Sequence, residues 1–206
     1  LAITTLLNPG DEIIVIEPSW PAYKDCALNA GIKVRTIKTT LETRWEPSID
    51  QIKNAINENT KMIVLNYPNN PTGKVLPEKL LVNIFQTAKE HDLYVLSDEI
   101  YFRLDRLNEI RVPSQYCKPM ISNHEKSIII NSFSKSHAMT GFRIGWVIAE
   151  PSIIEKMSKL QALSLTNVSE PIQYVALRAL EANTTKNEQV VRTRLDVLIQ
   201  SAKDIG

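Results

Sequence analysis

The chain has 206 residues, 43% hydrophobic and 23% charged, a balance that suits a globular protein with room for one sizeable core. Lysine and arginine number 24 against 23 aspartates and glutamates, so bulk charge argues neither for nucleic acid nor for an anionic membrane as partner. No apolar stretch approaches the ~20 residues that span a bilayer, no secretory pattern opens the chain, and a cytoplasmic protein is expected. In chain order, residues 1–7 resemble the last turns of a helix, which Asn8-Pro9-Gly10-Asp11 stops, as Pro and Gly do just past a helix end. Residues 12–17 form an apolar run with polar bounds, suited to a buried strand. Similar short runs, rich in β-branched residues, follow at 32–37, 61–66, 93–97, 127–131 and 144–149.

Helical spacing fills the intervals. Over 48–59 the apolar stripe is Ile49, Ile52, Ala55 and Ile56; over 77–91, with Pro77 in the first turn, it is Leu80, Leu81, Ile84, Phe85 and Ala88. From Pro151 onward three helical segments follow with no strand between them, the last over 187–205, with Gly206 where a cap would sit. Apolar strands alternating with amphipathic helices predict an α/β fold with a mainly parallel sheet flanked by helices. There is no initiator Met, and the first helix has a stop signal but no start. We therefore expect residues 1–206 to be part of one domain of a longer protein.

Ligands of open α/β sheets bind beyond the carboxyl ends of the strands. Three successive predicted strands end in chemically useful residues: Asn66-Tyr67-Pro68-Asn69-Asn70-Pro71-Thr72-Gly73, Ser97-Asp98-Glu99-Ile100-Tyr101, and Asn131-Ser132-Phe133-Ser134-Lys135. Singly, each has a plain structural explanation. Asn-Pro-Thr-Gly is a turn signal, an acidic pair after a strand is often a helix cap, and a lone lysine is usually a solvated surface residue. Together, in this order and each at a strand end, they predict one rim carrying an amide, a carboxylate with a phenol, and hydroxyls with an amine. Other chemistries find no support. The six glycines spell no GxGxxG, there is no GxxxxGK[ST] and no GxSxG. His91, His124 and His137 have no metal-ligand spacing, and a surface or packing role is expected for His137. Cys26 and Cys117 form no CxxC, fit a reducing compartment and are expected to be packing residues.

These strings, followed by Met139-Thr140-Gly141-Phe142-Arg143-Ile144-Gly145, resemble the signatures of class I/II aminotransferases, the fold-type-I pyridoxal-phosphate enzymes. The likeness runs from Asn8-Pro9-Gly10-Asp11-Glu12 to Arg192-Thr193-Arg194-Leu195-Asp196, through nearly the whole chain. It implies that residues 1–206 are a fragment of the large, cofactor-binding domain, with the small domain and an N-terminal segment missing. It also implies a role for each motif residue. Lys135 would hold pyridoxal 5'-phosphate as a Schiff base and then shuttle a proton, for which its amine must be neutral. Asp98 would pair with the pyridine nitrogen and keep the ring an electron sink. Asn70 and Tyr101 would hydrogen-bond the ring phenolate, and Trp20 would stack on the ring, though a Trp just after a strand is equally plausible as core. Ser132 and Arg143, three residues before and eight after Lys135, would hold the phosphate. Gly141 and Gly145 would allow a tight turn beside it, and a cis bond is expected at Asn70-Pro71.

By the same resemblance, the full-length protein would be a homodimer moving an amino group between an amino acid and a 2-oxo acid. The fragment, lacking the carboxylate-gripping arginine and part of the phosphate cup, would have little or no turnover. Two alternatives stay open: a pyridoxal-phosphate C–S β-lyase, against which Tyr101 weighs slightly, and a non-catalytic regulatory domain of the same fold.

Overall fold

A computed structural model describes residues 1–102, 104, 112, 114 and 124–205. Six strands form a single sheet: β1 (Glu12–Glu17), β2 (Lys33–Lys38), β3 (Thr60–Asn66), β4 (Tyr94–Asp98), β5 (Ser127–Ser132) and β6 (Gly145–Ile148). Their order is β2-β1-β3-β4-β5-β6, parallel throughout except for β6, which runs antiparallel to β5. The strands coincide with the six predicted runs to within a residue or two. The helices are α1 (Ala2–Leu6), α2 (Ala22–Asn29), α3 (Ile49–Ala55), α4 (Glu78–Glu90), α5 (Phe133–Ser136), α6 (Pro151–Ser164), α7 (Glu170–Glu181) and α8 (Thr185–Ile205), with a 3-10 turn at Thr140–Phe142.

Alternation along a strand sends successive side chains to opposite faces, and both faces here are covered. Ile14, Ile16, Ile63, Leu65 and Val95 face α3 and α4, packing with Ile52, Leu81, Ile84, Phe85 and Ala88. Ile13, Val15, Met62, Val64, Leu96 and Ile128 face α1, α2 and α6, packing with Ile3, Tyr23, Ala27, Ile153 and Met157. Coverage on both sides is why β1, β3, β4 and β5 have near-continuous apolar runs, whereas the edge strand β2 alternates, with Lys33, Arg35 and Lys38 exposed. Each fully buried Ile or Leu adds about 1.5–3 kcal/mol of apolar transfer energy.

Some expectations need correction. Helix α2 was not foreseen: its Ala-Tyr-Lys-Asp-Cys-Ala-Leu-Asn run buries only Tyr23 and Ala27, too narrow a stripe to show in the sequence. Helix α3 begins at the predicted place, where Ser48 and Gln51 form a reciprocal capping box, but it ends at Ala55 because Ile56 is extended. Helix α8 starts two residues before the predicted 187. Cys26 is exposed rather than a packing residue, and Cys117 lies outside the described residues. Among the described residues no helix is long and apolar enough to cross a membrane.

Candidate functional site

Strands β3, β4 and β5 are neighbours, with Asn66 level with Asp98 and Asp98 level with Ile130, so their carboxyl ends form one continuous rim. The side-chain alternation continues past the core. Two residues beyond Val64 comes Asn66, and two beyond Leu96 comes Asp98, so both belong to the face that carries α1, α2 and α6. On that face opens a cavity of about 720 Å3. Trp20, Asn70, Asp98, Tyr101, Ser132, Lys135 and Arg143, all seven residues predicted for the site, line it.

Asp98 stands at the centre of the rim. Its Oδ2 accepts the Tyr23 hydroxyl at 2.6 Å, and its Oδ1 accepts the Ile100 backbone N–H at 3.2 Å. Burial pushes the Asp98 carboxyl above its ordinary range, and these two donors only partly offset it. The Tyr23 phenol is driven strongly upward, by burial first and then by the Asp98 charge, so it remains a proton donor. The adjacent Glu99 points to the opposite face, as strand alternation requires. There its carboxylate, 2% exposed, accepts from the Ser97 hydroxyl and from the Ser114 backbone N–H and hydroxyl. Only one carboxylate of the Asp-Glu pair therefore faces the cavity.

The Asn-rich loop after β3 is tied to this rim by Asn66, whose amide donates to the Asp98 carbonyl at 3.2 Å and whose Oδ1 accepts the Asn70 N–H at 3.1 Å. Asn69 closes the turn by accepting from both the backbone and the hydroxyl of Thr72. The expected cis bond at Asn70-Pro71 is present; Glu17-Pro18 and Tyr67-Pro68, which were not anticipated, are also cis. The Asn70 side-chain amide donates to the Tyr101 hydroxyl at 3.3 Å. Lys135 Nζ lies 5.9 Å from the centre of the Tyr101 ring. Amide, phenol and amine thus meet side by side.

The exit of β5 supplies the other wall. Ser132 caps the short α5 by accepting the Ser134 N–H on its Oγ at 3.0 Å, which leaves its own hydroxyl proton free to donate. The Thr140 hydroxyl donates to the Ser134 carbonyl at 3.0 Å, and Arg143 Nη1 donates to the Thr140 carbonyl at 2.9 Å. Arg143 itself sits in the left-handed region at φ 54°. Gly145 needs correction, because it makes no turn. It lies on β6 opposite Ser132, and a Cβ there would come within 2.6 Å of the Asn131 carbonyl. Its role is close approach of two strands. At Gly141 a Cβ would meet nothing within 4 Å.

Trp20 is 49% exposed and meets Tyr23 edge-on, ring centres 5.5 Å apart, so it borders the cavity and is not core. His137 packs edge-on against Phe133 and pairs with the Ser136 hydroxyl. Among the described residues no group of His, Cys, Asp and Glu is arranged to hold a metal.

The family model for class I and II aminotransferases matches residues 1–205. The chain belongs to that family. The aspartate aminotransferase of Thermotoga maritima is 32% identical over the whole chain, which covers 53% of that relative. The asparagine–oxo-acid transaminase of Streptococcus mutans is 38% identical over 86% of the chain, covering 45% of that protein. Among solved structures, the Thermotoga maritima aspartate aminotransferase superposes with a TM-score of 0.92 at 32% identity over the whole chain and 54% of the other. The aromatic aminotransferase of Pyrococcus horikoshii gives 0.87 at 33% identity over 95% of the chain and 52% of the other. The chain spans about half the length of these relatives. As an aminotransferase-family chain it carries the expected fold-type-I sheet. Tyr23 went unnoticed in the sequence, and Asn66 and Thr140, though quoted within the motifs, were given no role of their own. Only its place on the fold marks Tyr23 out.

Proposed function

We propose that the chain is the cofactor-binding part of the large domain of a pyridoxal-phosphate-dependent aminotransferase that moves an amino group between an amino acid and a 2-oxo acid. The observation that carries this is the convergence of Asp98, Asn70, Tyr101, Lys135, Ser132 and Arg143, from three strand ends, on one cavity. The donor set fits the cofactor group by group. A carboxylate matches the ring nitrogen, an amide and a phenol match the ring oxygen, an amine matches the aldehyde, and a hydroxyl with a guanidinium matches the phosphate. The names of the curated relatives, which are transaminases, support transfer over β-elimination.

When bound, the cofactor supplies an electron sink for the negative charge left as the substrate loses its α-proton. The protein's part is positional and protonic. Asp98 holds a proton on the ring nitrogen through charge pairing in a largely buried setting. Asn70 and Tyr101 orient the ring by hydrogen bonds to its oxygen. Ser132 and Arg143 anchor the phosphate, and the Thr140 carbonyl fixes the guanidinium that does so. Lys135 would hold the cofactor through its amine, and the same amine would be placed to move a proton at the substrate α-carbon. Substrate grip and the small domain come from the remainder of a full-length homodimeric enzyme. Leu163 and Leu165 at the end of α6, and Tyr174, Leu177 and Leu180 on α7, are exposed apolar side chains of the kind such contacts cover.

The test is to add pyridoxal phosphate, reduce with borohydride and map the modified peptide. We expect visible absorbance of lysine-bound cofactor and a label on Lys135, both lost in Lys135→Ala with the thermal unfolding midpoint unchanged. A label spread over other lysines, or one that persists in the variant, would overturn the assignment.

A further inference from the structure

Every motif residue of the rim belongs to the stretch between β3 and β6, or precedes α2 in the case of Trp20. The shortest hydrogen bond between two cavity-lining side chains, however, comes from α2. Tyr23 Oη lies 2.6 Å from Asp98 Oδ2 across 75 residues of sequence, and Tyr23 is 6% exposed. Resting on the cofactor assignment above, we propose that Tyr23 is a positioning residue for Asp98. Its buried hydroxyl clamps Oδ2 from the α2 side, so that the carboxylate turns its remaining acceptor positions toward a protonated ring nitrogen in the cavity.

Three observations carry this. First, each carboxylate oxygen offers about two acceptor positions. Tyr23 occupies one on Oδ2 and the Ile100 N–H one on Oδ1, which fixes the plane of the group and leaves an acceptor on each oxygen. Second, both fixing donors are neutral and neither can carry off the negative charge, so the carboxylate keeps its charge for a ligand. An arginine in the place of Tyr23 would neutralise it. Third, Tyr23 is itself held. It packs in the core with Ile13, Val15 and Ala27, and the Trp20 ring abuts its edge at 5.5 Å and 86°. The phenol cannot swing away without opening that core.

The direction of donation follows from the surroundings. The titratable groups around Asp98 are Tyr23 on α2, Tyr101 and Glu99 beyond its own strand, and Lys135 on α5. The Glu99 carboxylate lies on the other face of the sheet and is engaged by Ser97 and Ser114. Burial and the Asp98 charge disfavour loss of the phenolic proton, so Tyr23 donates and Asp98 accepts. A hydrogen bond to the charged form favours that form. Removing it with Tyr23→Phe leaves the packing and takes away only the donor.

Two titrations test the proposal. In the chain without cofactor, carboxyl 13C NMR should show the Asp98 ionisation moving up by about one pH unit in Tyr23→Phe. With pyridoxal phosphate, the acid limb of the lysine-bound absorbance should move up by the same amount. No such move is expected for an analogue with carbon in place of the ring nitrogen, and none when Tyr23→Phe is added to Asp98→Asn. A Tyr23→Phe chain with an unmoved Asp98 ionisation overturns the proposal. So does an equal shift with the carbon analogue, which would mean a general loosening of the site. A wild-type chain that shows the carboxyl shift yet never binds pyridoxal phosphate would strike down the cofactor assignment while upholding the Tyr23–Asp98 linkage.

Discussion

Two carboxylates stand at opposite ends of the same sheet, and the protein treats them in opposite ways. Glu12 opens β1 at the amino edge. A single oxygen, Oε1, accepts from Arg35 at 2.9 Å, Asn57 at 2.6 Å and Thr60 at 3.2 Å. Burial opposes its ionisation, but the guanidinium and the two neutral donors outweigh that cost and hold its carboxyl below the ordinary range. Asp98 closes β4 at the carboxyl edge, with two neutral donors, and burial prevails, so its carboxyl lies above the ordinary range. The saturated carboxylate stitches β1, β2 and the turn before β3 together. The under-compensated one faces a cavity, and its unmet charge is available to a cationic ligand. Fold stability and ligand readiness thus separate along one sheet.

The largest effect that would sharpen this contrast is on binding. Asp98→Asn keeps the shape but removes the charge, and should weaken pyridoxal-phosphate affinity about a hundredfold, the scale of a charge-assisted contact. Equilibrium titration by absorbance reads it, and an affinity within about twofold of wild type would mean that the carboxylate is not the ring's partner. On folding, the same acid-to-amide exchange should act with opposite signs at the two ends. Glu12→Gln should cost about 1 kcal/mol, since it weakens three hydrogen bonds, while the exposed Arg35 guanidinium stays solvated. Asp98→Asn should instead stabilise the cofactor-free chain by about 1 kcal/mol, since it removes a buried charge without a cationic partner. Urea denaturation at neutral pH checks both, and two changes of the same sign would break the comparison.

The smallest effect is in the pH dependence. The stabilising contribution of Glu12 is complete above its ordinary value of 4.5 and is lost as pH falls through its lowered folded-state value. Asp98 runs the other way. Its destabilising contribution is complete above its raised folded-state value and disappears as pH falls toward its ordinary 3.8. The deficit of Glu12→Gln should therefore persist to lower pH than the gain of Asp98→Asn, which should fade first as the solution is acidified. Denaturation midpoints in steps across the acid range would show the order, and the reverse order would contradict the assigned environments.

Most of the sheet was legible because its inner strands are buried on both faces and so appear as near-continuous apolar runs, while β2 showed itself by its β-branched residues. Helices α4 and α3 were legible from broad stripes and, for α4, from Pro77 in the first turn. Helix α2 was not, since a helix that buries two side chains leaves no periodic trace and its Pro-rich entry suggests a turn. The site followed the same logic. Asn70, Asp98, Tyr101, Ser132 and Lys135 each come within a few residues of a strand end, where chain order and sheet order coincide. Tyr23 meets Asp98 only because α2 folds back over the strands, a contact that no local spacing records. The fate of Glu99 was likewise open until strand alternation assigned it to the other face.

The pairing of β5 with β6 has one more consequence. Ser132 lies opposite Gly145, and the missing Cβ of Gly145 lets the two backbones close up. Residues 133–144 are thereby pinched at the neck into a closed loop, and that loop contains both Lys135 and Arg143. The amine and the guanidinium belong to a ring whose closure entropy was spent during folding. A ligand gripped at two points by this loop meets ends already brought together and has less ordering of the protein left to offset.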